Sequence, residues 1–116
     1  MLHDPLTGLP GHALLIDRLE QALIRAKTRG TLVSLVLIQV EDGLIEAAAN
    51  LRSGLRPDFT VARYRETLLA VIAEHDFGDG EPIAELVRDL AGHQAHVHWV
   101  TSDGDTSTED MLAFPD

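Results

Sequence analysis

Arginines near the middle of the chain are the first residues whose type and spacing indicate a chemistry. Arg56, Arg63 and Arg65 lie close together in the sequence. A guanidinium group can hold a phosphate through two parallel hydrogen bonds, so this spacing predicts a local positive patch that could bind a phosphate-containing ligand. The competing interpretation is that each arginine pairs with a nearby carboxylate and has no further role.

Histidines near the C-terminus form a candidate metal site. His96 and His98 alternate on a predicted strand, which puts both imidazoles on one side and close enough to share an ion such as zinc. His93, His75 or Asp76 could supply a third ligand. The competing interpretation is a solvent-facing strand, since no carboxylate or thiolate lies at ligand spacing. Imidazoles that titrate together would make such a face a pH-sensitive interface.

Acidic residues give two weaker candidate cation sites. Gln39 and Glu41 lie at the end of a predicted strand, and Glu66 from the neighbouring hairpin could join them. A strand end that faces solvent would explain the same residues. Asp103 and Asp105 have the spacing of the first ligands of a calcium-binding loop. The later ligands of such a loop are missing, so we interpret this segment as a turn.

The composition restricts the classes of function. The 116 residues are enough for one domain with its own core, and 9 basic against 19 acidic residues give a formal net charge of −10. Because an acidic surface repels nucleic acid and anionic membranes, we expect neither as the main partner. The absence of cysteine excludes disulfides and thiolate metal sites. No leader sequence or membrane span is evident, so we expect a cytoplasmic protein, and the initial Met1 favours a complete small protein.

Hydrophobic periodicity predicts the elements that would position these residues. From His12 onwards the apolar residues recur on one face of a helix, and Gly30 is placed to end it. The segment 31–42 is almost continuously apolar and indicates a buried strand. The remaining predicted elements are a helix in 43–55, hairpin strands in 59–64 and 67–74, a helix in 81–93, a strand in 94–102 and a short helix in the tail.

After the first helix the order of elements is βαββαβ, the pattern of a ferredoxin-like antiparallel sheet. We therefore predict an α+β fold with an additional N-terminal helix. In the tail, Leu112 and Phe114 either dock on the body of the domain or form a motif that a partner binds. The prediction is a single domain over residues 1–116, with a lead and helix in 1–30, a core in 31–101 and a tail in 102–116.

The first segment of the chain carries a motif as well as a periodicity. The stretch HDPLTGLPGHALLIDRLEQAL resembles the opening signature of GGDEF domains, the diguanylate cyclase family of bacterial cyclic di-GMP signalling, in which D-x-L-T-G-L-x-N-R leads into a helix. Gly11 and His12 stand where Asn-Arg is usual. LRPDFTVARY resembles the segment just before the family's signature hairpin and LLAVIAE the strand after it, so the resemblance covers His3 to about Ala73 and continues more faintly to the C-terminus. The matching residues of the opening signature are Asp4, Leu6, Thr7, Gly8, Leu9 and Pro10.

The tip of the hairpin departs from the family. The resemblance implies a tip of sequence G-G-[DE]-E-F, in which the glycines let the backbone approach the nucleotide and the acids hold metal and help to activate the 3′-hydroxyl. The residues of this chain at those positions are Arg65, Glu66, Thr67, Leu68 and Leu69. Arg65 and Glu66 fill the space that glycines leave open, and Thr67 and Leu68 replace the acidic pair. We interpret the tip as a degenerate signature that has lost its metal ligand.

Three further features differ from what the resemblance implies. The family's first strand ends D-[LIV]-D-x-F-K with a metal-binding first Asp, whereas this chain has Gln39 there and Glu41 at the second acidic position. The resemblance implies a helix with guanine-contacting residues, but this chain passes from Asp42 almost directly into GLIEAAANL, so we expect that helix to be deleted. The inhibitory R-x-x-D site would fall on Arg56 and Phe59, with Asp58 one position away.

Together these departures predict a catalytically inactive GGDEF-like protein that needs no cofactor. We expect a regulatory or protein–protein interaction module in bacterial cyclic di-GMP signalling. Loss of one helix should uncover apolar surface on the central sheet, through which the protein would form a homodimer or bind a partner. The alternative is a non-catalytic sensor that binds cyclic di-GMP or GTP through Arg56, Arg63 and Arg65.

Overall fold

The computed structural model describes residues 2–113 of the chain. It confirms the predicted order of elements, an N-terminal helix followed by βαββαβ, with a further short helix after the last strand. None of the described helices is long and apolar enough to cross a membrane. The elements are α1 (His12–Arg29), β1 (Leu32–Gln39), α2 (Leu44–Gly54), β2 (Thr60–Arg65), β3 (Leu68–His75), α3 (Glu81–Ala91), β4 (His96–Ser102) and α4 (Thr108–Leu112).

The four strands form one antiparallel sheet in the order β2-β3-β1-β4. The central strands are β1 and β3, and the edges are β2 and β4. In the register of the sheet, Val36 of β1 lies opposite Val71 of β3 on one side and Trp99 of β4 on the other. This is the order of a ferredoxin-like sheet, so the predicted α+β class is confirmed.

Helices cover both faces of this sheet. Successive side chains of a strand point to opposite faces, and β1 is apolar in both directions. Leu35 and Leu37 pack with α1, whereas Val36 and Ile38 pack with α2 and α3. All four side chains are buried. This two-sided burial explains why the sequence of β1 is continuously apolar rather than alternating.

The first helix follows the predicted pattern from beginning to end. Gly30 adopts the left-handed conformation, with φ of 70°, and its N–H donates to the Ala26 carbonyl. Lys27 and Arg29 lie in the last turn, where positive charge is favourable for the helix dipole. The buried residues are the predicted apolar face, Leu15, Leu19, Ala22, Leu23 and Ala26.

The expectation of an uncovered apolar surface on the central sheet is wrong for the described part of the chain. Residues Val33 to Ile38 of β1 and Leu69 to Ala73 of β3 are all buried. The physical reason is that α2 and α3 close over this face together, because Gly54 admits the side chain of Leu90: a Cβ at Gly54 would lie 2.5 Å from Leu90 Cδ2. The large exposed apolar side chains of residues 2–113 are spread over several parts of the fold: Leu2 and Leu6 before α1, Ile24 in α1, Ile45 in α2, Phe77 after β3 and Leu86 in α3.

The C-terminal segment packs against α1. Met111 of α4 is fully buried, and Leu112 packs against the same apolar cluster. Gly104 approaches α1 so closely that a Cβ at this position would lie 2.6 Å from the Lys27 amide nitrogen. Of the two alternatives for the tail, docking on the body is observed at Leu112, while Phe114 lies outside the described residues.

Candidate functional site

The hairpin that was predicted to carry the site is formed by β2 and β3. β2 ends at Arg65 and β3 begins at Leu68, with a bulge in β2 just before the tip. Glu66 and Thr67 form the turn between the strands. Leu68 is partly buried against the cluster on the α1 side, and Leu69 is fully buried on the opposite face. The last two of the five signature positions are therefore part of the apolar interior.

A neutral hydrogen bond joins this turn to the end of β1. Gln39 Nε2 donates to Thr67 Oγ1 at 2.6 Å and to Glu41 Oε1 at 3.1 Å. The backbone makes a parallel contact, because Val40 N donates to Thr67 O at 2.8 Å. Gln39 and Thr67 stand at positions where the resemblance implies metal-binding carboxylates. In this chain the Gln39 amide and the Thr67 hydroxyl are hydrogen-bonded to each other, so neither needs a cation as a partner.

The acidic and histidine candidates do not assemble into a metal site. Within residues 2–113, no group of three or more His, Cys, Asp or Glu side chains could hold an ion. Glu41 and Glu66 are both exposed, and Glu41 accepts its hydrogen bond from Gln39. His96 and His98 share an exposed face, with His96 opposite Gln39. These weak candidates share one end of the sheet but do not form a cation site there.

His75 lies at the other end of the sheet. It is opposite Leu32 at the start of β1, whereas His96 is opposite Gln39 at the end of β1. At about 3.4 Å per residue, the seven steps from Leu32 to Gln39 put these two ends roughly 24 Å apart. Asp76 follows His75 directly and lies at the same distant end. The expectation that His75 or Asp76 could complete a site with His96 is therefore wrong.

A hydrogen-bond network that the sequence analysis missed holds His75. Its Nε2 lies 2.7 Å from Ser34 Oγ, and its Nδ1 lies 3.2 Å from the Phe77 carbonyl oxygen. A carbonyl can only accept, so in the neutral imidazole Nδ1 carries the proton and Nε2 accepts from the Ser34 hydroxyl. Ser34 is fully buried, and its Oγ also lies 2.8 Å from Thr101 Oγ1. The sequence contains one clue to this network, which is a serine within an apolar strand. A buried hydroxyl requires a hydrogen-bond partner, so Ser34 indicated that a polar side chain must lie nearby.

Arg63 forms the least exposed ion pair within residues 2–113. Its Nη1 donates to Asp4 Oδ1 at 2.8 Å, and the two side chains are 17% and 14% exposed. Its Nη2 donates to the Glu66 carbonyl at 2.7 Å. Burial raises the pKa of Asp4, but hydrogen bonds from Thr7 and the charge of Arg63 outweigh that effect and hold the pKa below its ordinary value of 3.8. The Arg63 guanidinium therefore stabilises the fold by joining β2 to Asp4 and to the hairpin turn.

Asp4 also organises the N-terminal segment before α1, which we call the lead (residues 2–11). Its Oδ2 accepts from the Thr7 N–H at 2.9 Å and from the Thr7 hydroxyl at 2.7 Å. Gly8 follows in the left-handed region, with φ of 74°. The Pro10 carbonyl then accepts from Arg63 N at 2.9 Å, so the lead lies along the outer edge of β2. We name Asp4, Thr7, Pro10 and Arg63 the lead clasp.

The other two predicted arginines each lie over an aromatic ring. The guanidinium carbon of Arg65 is 4.8 Å from the centre of the Tyr64 ring, and that of Arg56 is 5.5 Å from the centre of the Phe59 ring. Arg56 also donates two hydrogen bonds to Asp58, both at 3.1 Å. The arginine that matches the family's inhibitory site is thus paired with the acid two residues further along its own chain.

The three arginines border two cavities rather than one patch. Arg63 and Arg65 line a cavity of about 420 Å³ between the hairpin tip and the lead. Arg56 lines a second cavity, of about 290 Å³, beside α2. Arg18 of α1 and Arg52 of α2 also line this second cavity, and the sequence analysis did not single them out. Their spacing in the sequence could not have shown that Arg18 and Arg52 border the same cavity, because they lie on separate helices.

No model of a known protein family matches the sequence, and no curated protein does either. Solved structures are similar over most of the chain. The GGDEF domain of DgcB from Caulobacter crescentus, in complex with c-di-GMP, has a TM-score of 0.83 at 14% identity, over 96% of this chain and 83% of that one. A sensory box/GGDEF family protein from Caulobacter crescentus CB15 has a TM-score of 0.82 at 20% identity, over 97% and 92%. The diguanylate cyclase SiaD from Pseudomonas aeruginosa, in complex with its activator SiaC, has a TM-score of 0.69 at 20% identity, over 86% of this chain and 48% of that one.

These similarities agree with the resemblance seen in the lead and around the hairpin. At such low identity they establish the fold and leave the activity to be argued from the residues of the site. The aligned region is also shorter than the matched domains, since it spans 83% of the DgcB chain. The chain therefore has the GGDEF fold, in a shortened form of 116 residues.

Proposed function

We propose that this chain is a catalytically inactive GGDEF-like module that acts in bacterial cyclic di-GMP signalling by binding another protein in the cytoplasm. The observation that carries the proposal is the hydrogen bond from Gln39 to Thr67 at the hairpin tip. It joins two positions at which the family's chemistry would need negative charge. The fold is kept, but the carboxylates that catalysis would need at these two positions are missing. We therefore infer a regulatory role.

The residues at the tip do not fit the divalent metal that phosphoryl transfer in this fold would require. Mg²⁺ takes oxygen ligands and favours carboxylates. Gln39 presents its amide nitrogen to Thr67, and Glu41 is the carboxylate beside them. Catalysis of this kind depends on metal ions that neutralise the charge of the transferred phosphoryl group. We therefore derive no catalytic step at this tip.

An assay of GTP turnover tests the proposed inactivity. The purified chain is incubated with GTP and either Mg²⁺ or Mn²⁺, and cyclic di-GMP is detected by chromatography. We expect no product above the level of a protein-free control, under conditions in which an active cyclase gives product. Cyclic di-GMP made by the wild-type chain would refute the proposal.

Protein binding is the proposed mode of action because a protein that contains a similar fold was solved with a protein partner. SiaD was solved in complex with its activator SiaC, and we infer that this chain also acts through a partner or a second copy of itself. The central sheet is covered by helices, so the contact must use another surface. Light scattering of the purified chain distinguishes the two cases, because a stable pair would have twice the monomer mass of 12.7 kDa.

A non-catalytic sensor of cyclic di-GMP or GTP is the second candidate. The observation that favours it is the cavity of about 420 Å³ lined by Arg63 and Arg65, and the DgcB domain with a similar fold was solved with c-di-GMP. Calorimetric titration with cyclic di-GMP, and separately with GTP and Mg²⁺, tests it. Binding that Arg65→Ala abolishes would put the sensor first. Absence of heat and of any thermal shift with either ligand would eliminate it.

A further inference from the structure

The cavity beside α2 has a charge opposite to that of the protein as a whole. Arg18, Arg52, Arg56 and His3 line it, and none of its lining residues is an Asp or a Glu. The complete chain has 19 acidic and 9 basic residues. Three of the nine Lys and Arg residues thus border one cavity, which is a concentration of positive charge on an acidic molecule.

Two of these arginines have charges available to a ligand. Neither Arg18 nor Arg52 takes part in an ion pair within residues 2–113. Both are exposed, on α1 and α2. Arg52 lies against the lead, with Nη1 3.3 Å from the position of a Cβ built on Gly8. Arg56 differs, because its guanidinium is paired with Asp58.

The walls of the cavity between these cations are apolar. Leu51 reaches it from α2, and Leu55 and Phe59 reach it from the segment between α2 and β2. Leu51 and Leu55 are buried and Phe59 is half-buried, so the apolar surface is fixed in place by the core behind it. A ligand that fits this surface would combine an apolar group with negative charge at its side.

The size of the cavity favours side chains over an entire nucleotide. Small-molecule sites typically enclose about 300 to 1,000 Å³, and this cavity, of about 290 Å³, lies at the lower limit. One apolar side chain with a neighbouring carboxylate is a better match to that volume than a dinucleotide.

We propose that this cavity binds an acidic segment of a partner protein, with an apolar side chain inside it and adjacent Asp or Glu residues paired with Arg18 and Arg52. The inference rests on the proposed function and names the chemistry of the partner. The acidic remainder of the chain repels such a segment, so the field of the protein directs it to this one face.

Selection of peptides from a random displayed library against the purified chain tests the proposal without assuming a sequence. We expect the enriched peptides to carry an apolar residue flanked by Asp or Glu. Their affinity should fall as the salt concentration rises, because exposed ion pairs are screened. Enrichment of peptides without an acidic bias would overturn the proposal.

Charge reversal at one arginine then locates the binding site. Arg52→Glu should weaken binding of a selected peptide by about tenfold or more, because it puts like charges together at the contact. Arg52→Lys, which keeps the charge, should retain most of the affinity. Arg29→Glu is the matched control, since Arg29 is an exposed arginine that does not line the cavity. Equal losses in Arg52→Glu and Arg29→Glu would overturn the assignment, and thermal unfolding verifies that each variant is folded.

The remaining outcome is that the cavity binds a small anion instead of an acidic peptide. If calorimetry shows that cyclic di-GMP or inorganic phosphate binds the chain and that Arg52→Glu abolishes this binding, while no acidic peptide is selected, the cavity is a small-anion site and the proposed partner is wrong. Failure of this inference leaves the proposed inactivity standing. Synthesis of cyclic di-GMP by the wild-type chain would instead overturn the proposed function and leave the peptide result unaffected.

Discussion

The lead clasp and the hairpin tip differ in how the sequence compares with a GGDEF domain and in what its residues do. In the lead, Asp4 and Thr7 match the family motif, and Asp4 joins Thr7 to Arg63 of β2. At the tip, Gln39 and Thr67 differ from the family, and they bond to each other. The positions that match hold the fold together, whereas the positions that differ are those that would handle a metal ion.

Removal of the Asp4 carboxylate should have the largest effect on stability. Asp4→Ala leaves the partly buried Arg63 guanidinium without its counter-ion and leaves two Thr7 donors without an acceptor. We expect the free energy of unfolding, measured by urea denaturation, to fall by about 3 kcal/mol. The control is Asp58→Ala, which removes an exposed partner of Arg56 and should cost about 0.5 kcal/mol or less. Equal losses would mean that the clasp contributes no more than a surface ion pair.

The same carboxylate should make the stability of the clasp depend on pH. Burial raises the pKa of Asp4, but Thr7 and Arg63 lower it further, so the folded pKa lies below the ordinary value of 3.8. The ionised form therefore stabilises the fold above that value, and this contribution is lost as the pH falls through the folded pKa. We expect the difference in unfolding free energy between wild type and Asp4→Asn to be constant near neutral pH and to shrink below about pH 4. A difference that stays constant in acid would contradict the role of the ionised carboxylate.

Loss of one hydrogen bond at the tip should cost less than loss of the clasp. Thr67→Val removes the hydroxyl that accepts from Gln39 and keeps the β-branched shape. Gln39 retains its bond to Glu41, so we expect a loss of about 1 kcal/mol in the urea experiment. A loss as large as that of Asp4→Ala would remove the distinction between the two regions.

Truncation of the exposed acid at the tip should have the smallest effect. The Glu66 side chain is exposed, and it is the Glu66 carbonyl that accepts from Arg63, which an alanine would preserve. We expect Glu66→Ala to change the unfolding free energy by no more than about 0.5 kcal/mol. If a thermal-shift assay shows a loss comparable to that of Thr67→Val, the Glu66 side chain has a structural role at the tip.

Local patterns were sufficient to predict most of the fold. The helical periodicity of α1 and the two-sided apolar run of β1 depend on residues that are neighbours in the sequence. The covering of the sheet was predicted incorrectly because it depends on Gly54 of α2 and Leu90 of α3, whose approach is set by the packed helices. A glycine at the end of a helix has the same sequence signature whether or not another side chain occupies the space beside it.

The candidate site was less predictable than the fold. Asp4 and Arg63 are 59 positions apart, so their ion pair has no local signature. The spacing of Arg56 and Arg63 indicated a shared patch, but the chain between them enters β2 and carries the two side chains to different cavities. Gln39 was identified as a replaced metal ligand, while its bond to Thr67 depends on the hairpin folding back onto β1.

The two edges of the sheet differ in their capacity to add a strand. At β2, Pro10 accepts from Arg63 N and has no N–H of its own, so it cannot pass the hydrogen-bond ladder on to another chain. At β4, no backbone hydrogen bond between described residues engages the outer edge. Two copies that met through β4 would each present a proline-capped edge outward. The covered edge at β2 would therefore disfavour growth of the sheet beyond such a pair.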